Sequence, residues 1–335
     1  MNPLETISPD EEKLSNDLLR ILTLMLRKEY PKGKTVLRDA HPKSHGLVKA
    51  EFVVPELPTD LKVGLFSKPG TYKAYIRFSN GAKPQADKIG DIRGVGIKIF
   101  GVEGEHCLEG EKTTQDFLLI NNPVLPAGNP KDYFNLFTSS MSGNPLKYFF
   151  SWNPFEWKIG DLLILHDIRS QKVPSPLSLK YYSTTPYAWK EGAVKYALFP
   201  TGDYTKQIQD DSSENYLREQ MKKELSEKSA SFDFNIQKGD LKVHSIENAS
   251  AHWDEGRAPF QKLATILIPK QNFDTPDQNT LAENLSFDPW HSLVDHTPIG
   301  GINRMRKVVY YGITKYRHEK NGVGIEDPIP WESID

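Results

Sequence analysis

Arg306 and Tyr310, four residues apart, stand in the segment RMRKVVYYGITKYRHEK (304–320). The segment reads as a helix, because Met305, Val308, Val309, Ile313 and Tyr316 recur at helical spacing and basic residues fill much of the remainder. On a helix Arg306 and Tyr310 lie one above the other on a single face. A guanidinium in that place can hydrogen-bond the phenol oxygen and favour its charged form, and a phenolate is a hard, strongly donating metal ligand. Tyr311 is the nearest rival, but it is not four residues from Arg306. Alone, such a pair most often belongs to a solvated helix face, so its meaning rests on what else the chain brings.

Further candidates are scattered along the sequence. RDAH (38–41) ends on His41, three residues after Arg38. YIRFS (75–79) puts Arg77 and Ser79 on one face of a strand. DFLLINNP (116–123) places Asn121 at a strand end, where Asn121 and Asn122 could equally be turn residues. An imidazole such as His41 suits proton transfer near neutral pH. His41 and His45 could also be surface or capping histidines; Pro42 between them and the lack of a nearby acidic ligand argue against a metal pair. His291 and His296, five apart, do not share a helix face and read as structural, and Arg93 in DIRG reads as a turn-stabilising ion pair.

The elements that must position these residues follow from the rest of the chain. Its 335 residues allow a sizeable core, and 42 Lys plus Arg against 44 Asp plus Glu leave a net charge of −2. That balance argues against a nucleic-acid or membrane-surface protein. The single cysteine, Cys107, excludes an intramolecular disulfide framework and any multi-cysteine metal site. No apolar run reaches membrane-spanning length and no basic-then-apolar leader opens the chain, so no integral membrane segment and a cytoplasmic location are expected. The 14 Tyr, 16 Phe and 6 Trp could line an apolar cavity or simply pack a core.

Residues 8–28 read as a helix, with Ser8 and Glu11 as a capping box and Leu14, Leu18, Ile21, Leu22 and Met25 as its apolar stripe. Short strands follow at 46–54, 71–79, 95–101 and 116–120, then helices at 131–137 and 160–168 with a loop at 173–179. A strand at 192–200 precedes an amphipathic helix at 214–228, with Leu217, Met221 and Leu225 inward. Strands at 232–237, 242–248 and 262–270 lead to the helix at 304–320. The pattern is α+β: an antiparallel β-barrel core surrounded by helices, with no internal repeat and no long linker.

In order and character, RDAH, YIRFS, DIRGVGIKIF (91–100), DFLLINNP and RKVVY (306–310) resemble the haem-dependent catalase superfamily. The resemblance is to its short branch of minimal catalase-related peroxidases, related in fold to coral allene oxide synthase. It runs from about residue 35 to 320 and includes YYSTTPYAWKEGAVKY (181–196) and ENLSFDPW (283–290). It implies a single catalase-like haem-binding domain, 35–335, on which the N-terminal helix segment, 1–34, is expected to pack. It implies haem b as cofactor, with Tyr310 as axial iron ligand tuned by Arg306. His41 would be the distal base, Asn121 would orient the peroxide and Ser79 would hold the His41 ring. Arg38, Arg77 and Arg317 would pair with the haem propionates. The family also implies a homodimer, a small-molecule peroxide substrate and a small reductant, and no nucleic acid.

The chain departs from the pattern at three places. It stops soon after the proximal helix, with a loop-like tail at 321–335. Leu125 and Pro126 stand where catalases carry paired phenylalanines above the haem, and the residue expected to stack on the haem has slipped to Tyr133 or Phe134. A wider pocket would admit bulky hydroperoxides. The expectation is therefore a haem peroxidase acting on organic hydroperoxides and, more weakly, on hydrogen peroxide. The alternatives are a fatty-acid hydroperoxide dehydratase or lyase like allene oxide synthase, and a barrel that binds haem or lipid without turnover. Ala40 replaces the Thr that precedes the distal His in the dehydratases, and a carrier has no need of a distal base.

Overall fold

Strand alternation decides the architecture. The computed structural model describes residues 3–81, 84–110 and 113–324; the rest of the expected tail loop, from 325, lies outside the described residues. Strands β1 (Lys43–Val54), β2 (Gly70–Asn80), β3 (Arg93–Phe100) and β4 (Thr114–Ile120) form an antiparallel meander. Then come β5 (Tyr181–Tyr182), β6 (Tyr187–Trp189), β7 (Gly192–Pro200), β8 (Ala230–Lys238) and β9 (Phe260–Ile268). β9 pairs with β1, and β5 joins β4 to β7, so eight strands close into a barrel, with β6 paired only on β7.

The lumen is filled. Phe52, Phe117, Tyr196 and Phe234 meet there at ring separations of 4.8 to 5.2 Å for Phe117–Tyr196, Phe117–Phe234 and Phe52–Phe234. Ile76, Phe78, Val95, Ile97 and Leu119 belong to the same buried cluster. The barrel is thus a packed core, as eight-stranded barrels of this width usually are.

The helices cover its outside. α1 (Glu11–Glu29) begins at Asp10, not at a Ser8 capping box. Glu11 is drawn away to Arg304, 2.6 Å from its Nε, and the Ser8 hydroxyl bonds the Asp10 carboxylate instead. α2 (Pro130–Met141) is capped by Asn129, α3 (Leu146–Phe149) is one turn, and α4 (Ile159–Ser170) follows. α5 (Tyr216–Glu227) buries Leu217, Met221 and Leu225 as the pattern requires. α6 (Pro276–Asn284), capped by Thr275, was not expected. The expected strand at 242–248 is absent: the Asp240 N–H bonds His244 Nδ1 at 3.0 Å and the His244 ring stacks on Trp253, which holds that stretch in turns.

α7 (Gly301–Asn321) begins three residues before the expected start and ends at Gly322, whose φ of 69° is the left-handed cap glycine favours. It lies along α1, with Leu18, Leu22 and Leu26 against Met305, Val309 and Ile313. The two approach closely at Gly312, where a Cβ would stand 2.5 Å from a Leu19 methyl carbon. Leu22 is buried in the middle of this seam. Leu22→Ala is expected to lower unfolding free energy by about 2–5 kcal/mol, read as a shifted denaturant midpoint. A change below about 0.5 kcal/mol would mean that α1 does not support α7.

Candidate functional site

Residues alternating with the lumen face point outward from β2, β3 and β4. Arg77, Ser79, Gly94, Gly96, Leu118 and Ile120 line a cavity of about 530 Å³ on the outer side of the barrel. α2 contributes Tyr133 and Phe137 to its walls, and α7 contributes Arg306, Tyr310 and Arg317. Arg38, Asp39, Ala40 and His41 come in from the segment before β1. Of the residues to which the resemblance gives a role at the cofactor, all but Asn121 and Phe134 are on the wall.

His41 is held in an uncommon conformation. Its φ of 56° lies in the left-handed region, uncommon for a non-glycine residue, and its N–H bonds Gly81 O at 3.2 Å. Its Nδ1 lies 3.1 Å from Ser79 Oγ, while Ser79 also reaches Gly94 O at 3.4 Å. Burial, then the positive charges of Arg77, Arg306 and Arg38, push the imidazole down to about 3, so it is neutral at ordinary pH.

Across the cavity, Arg306 Nη2 donates to Tyr310 Oη at 3.3 Å, with its guanidinium 5.1 Å from the ring centroid. Thr185 Oγ1 and Asn303 Oδ1 accept from the other Arg306 nitrogen, fixing the fork. Burial opposes the Arg306 charge, but the Tyr310 and Tyr187 phenols outweigh it and hold the guanidinium above its ordinary pKa. Burial pushes the Tyr133 phenol up to about 12.

Three more guanidiniums gather at one end. Arg38 donates to the carbonyls of Ala282 and Leu285, and Arg317 to the Glu283 carboxylate at 2.9 Å. Arg77 differs: its Nε and Nη2 are buried with no hydrogen-bond partner, as is Arg38 Nε. Burial first, then Arg38, lower Arg77 to about 9, and burial lowers Arg317 to about 10. A buried cation without an anion is strongly unfavourable, so the unpartnered nitrogens at this end would suit an anionic ligand.

Asn121 departs from the role the sequence suggested. Its Oδ1 accepts the Arg93 N–H and its Nδ2 donates to Gln171 Oε1, each at 2.8 Å, so both ends of the amide are committed behind the wall. Of the stacking candidates, Tyr133 lines the cavity and Phe134 packs instead in the α1–α7 seam. Arg93 bonds the Asp87 carbonyl at 2.7 Å, a turn-holding role met through a carbonyl. His291 bonds Asp116 at 3.1 Å and the buried His296 accepts from Leu65 N–H, both away from the cavity.

The sequence reading missed Phe287, on the wall with the Arg38 guanidinium 5.8 Å from its ring centroid, and the two glycines beneath it and His41. A Cβ on Gly96 would stand 2.9 Å from the Phe287 ring. One on Gly94 would stand 2.3 Å from His41 Cε1. The spacing RGVG, glycines alternating on one strand face, was the available signal. Gly94→Ala is therefore expected to push the His41 ring off Ser79 and shift its imidazole NMR resonances. Unchanged resonances would show that the β3 backbone yields instead.

No protein-family model matches the sequence, and no curated protein matches it. Solved structures do match the fold. A fungal catalase superposes with a TM-score of 0.69 at 17% identity, covering 90% of this chain and 62% of its own. Catalase A from Saccharomyces cerevisiae gives 0.68 at 18% identity, covering 90% and 64%. A bacterial catalase gives 0.63 at 14% identity, covering 95% and 62%. The chain thus spans about three fifths of the length of these catalases. Its closed eight-stranded antiparallel barrel, wrapped by helices, is a catalase-like fold.

Proposed function

We propose that the chain is a haem b-dependent peroxidase, akin to the minimal catalase-related peroxidases, that reduces organic hydroperoxides and, more weakly, hydrogen peroxide. The observation that carries this reading is the pairing of unneutralised buried guanidiniums at one end of the cavity with a neutral imidazole and an arginine-backed phenol on its walls. Haem propionates are carboxylates of the kind that Arg77 and Arg38 lack, with Arg317, paired to Glu283, beside them, and guanidinium forks suit them. Tyr310 would hold the haem iron through its phenol oxygen, which accepts from Arg306, with Tyr133 and Phe287 as flanking aromatic surface. Bound haem supplies the redox-active iron at which a peroxide O–O bond is split.

The chain's own residues then handle protons and orientation. Were the Ser79 hydroxyl to donate to Gly94 O, the His41 ring hydrogen would sit on Nδ1 and Nε2 would keep its lone pair. Nε2 takes the proton from the near oxygen of ROOH and returns it to the far oxygen, which leaves as ROH. Two electrons from a small reductant and two further protons complete the balance, giving ROH and water. Asn121 acts from behind, keeping Arg93 and Gln171 in place; it would face the peroxide only by giving up Gln171.

Leu125 and Pro126 line the cavity, with Leu136, Phe137 and Leu165 beyond them. That apolar stretch supports an alkyl hydroperoxide as substrate. It would also suit a dehydratase acting on fatty-acid hydroperoxides, against which Ala40 stands. Product analysis separates the two: an alcohol supports the peroxidase, an allene oxide or aldehyde the rival. Among the described residues no helix is long and apolar enough to cross a membrane.

Reconstitution with haem is expected to give a strong Soret band, lost in Tyr310→Phe. His41→Ala should keep the band and lose about 10²–10⁴-fold in reaction with cumene hydroperoxide. Full activity in that variant would remove His41 from the mechanism.

A second expectation concerns pH. The His41 pKa is depressed to about 3, so the base form persists as pH falls until that value is approached. The rate of the peroxide step should therefore stay level from neutral pH down to about 4, with no break near the ordinary histidine value of about 6.5. A break at 6.5 would mean that His41 titrates as a solvated imidazole.

A further inference from the structure

A second cavity, of about 30 Å³, lies on the outer side of β7 and shares no lining residue with the first. Lys195, Tyr182, Gln237, Trp253, His252 and Glu255 are on its wall. His252 and Glu255 are exposed, so small molecules reach the cavity from solvent.

Strand period puts Lys195 there. Val194, Tyr196 and Leu198 belong to the lumen cluster, so Lys195 points out of β7. Gln237, its partner in register on β8, fastens the loop between β8 and β9 over it. The Gln237 amide donates to Trp253 O at 2.8 Å and to Ala258 O at 2.9 Å. The Trp253 indole is fixed as well, its N–H donating to Ser245 O at 3.2 Å and its face stacked on His244.

The amine is enclosed and poorly satisfied. Lys195 is 5% exposed. Among the described residues its Nζ makes one hydrogen bond, to Ala251 O at 3.3 Å, and no ion pair. It stands 4.9 Å from the Trp253 ring centroid. Burial lowers the amine to about 7, so much of it is uncharged near neutral pH. An uncharged amine is a nucleophile; an ordinary lysine, with a pKa of about 10.4, holds almost none at that pH.

The walls select what this amine could take. Glu255 disfavours an anion; with burial first, its charge pushes the Tyr182 phenol up. The Trp253 face attracts a cation. An aldehyde satisfies both, because it enters neutral and leaves a protonated imine. Carbon dioxide would instead leave an anionic carbamate beside Glu255. The volume admits about two water-sized groups, which is room for a short aldehyde and little more.

We propose that Lys195 is a carbonyl-capture site, which holds a short-chain aldehyde as an imine between β7 and Trp253. Nζ adds to the carbonyl carbon, and the oxygen takes a proton to give a carbinolamine. The C–O bond then breaks and the C=N bond forms. The carbonyl oxygen and the two hydrogens of the amine leave as water, so no oxidant or reductant is required. His252 and the Tyr182 hydroxyl, on the same wall, can carry those protons. The site is independent of the peroxidase reading.

The test is reductive trapping. The full chain is incubated at pH 7 with acetaldehyde and cyanoborohydride, and ethylated lysines are located by peptide mass spectrometry. Lys195 is expected to be labelled about tenfold faster, or more, than any exposed lysine. Hexanal, too long for the cavity, should leave it unlabelled. Lys195→Arg should remove the fast site, and the wild-type rates decide the matter even where that variant does not fold. Labelling of Lys195 no faster than of exposed lysines, or only after urea is added, would overturn the proposal. Equally fast labelling by hexanal would do so too, since the amine would then be presented by an open surface and not by the cavity.

Discussion

The filled barrel is the constraint from which the rest follows. Phe52, Phe117, Tyr196 and Phe234 occupy the lumen, so no ligand can enter it, and any site must be made on the outer face. Strand period then decides the chemistry. Ile76 and Phe78 face in, which forces Arg77 and Ser79 out; Val95 and Ile97 face in, which puts Gly94 and Gly96 on the cavity side. An outer face carrying a buried arginine has to be covered, and α7 is the cover. α7 is in turn held by α1 and by the Arg304 cluster with Glu5, Glu11 and Glu247. A change in the α1 seam should therefore be felt at Tyr310.

The cations of the cavity have a double effect. Arg77, Arg306 and Arg38 each disfavour a proton on His41, so the groups that suit an anionic ligand also keep the imidazole a free base. Burial first, and then their mutual repulsion, lower Arg77 and Arg317, and Glu283 offsets this only in part. Such a cluster is at odds with stability alone. It becomes reasonable when a dianionic partner completes it, because opposite charge in a dry site is worth more than in water.

Much of this was legible in the chain. The helical spacing of Arg306 and Tyr310, the strand alternation of Arg77 and Ser79, and RDAH are local patterns, and local patterns survive folding. What was not legible depends on contacts distant in sequence. Asn121 reads as a free polar group until Gln171, fifty residues on, takes its amide. Glu11 reads as half of a capping box until Arg304 takes its carboxylate. The run 242–248 alternates like a strand, yet Trp253 claims His244. In each case a tertiary partner outcompetes the local one, which is worth only about 1 kcal/mol.

His41 carries the argument furthest. A non-glycine residue at φ of 56° costs on the order of 1–3 kcal/mol, and persists only where its surroundings over-determine it. Here they do: the Gly81 carbonyl holds its N–H, Ser79 holds its ring, and Gly94 clears the space beneath. A strained, buried, neutral imidazole facing an arginine-backed phenol is a costly arrangement for a carrier, which needs only affinity. It suits a protein that must move a proton at one fixed point, and so favours the peroxidase over the binding barrel.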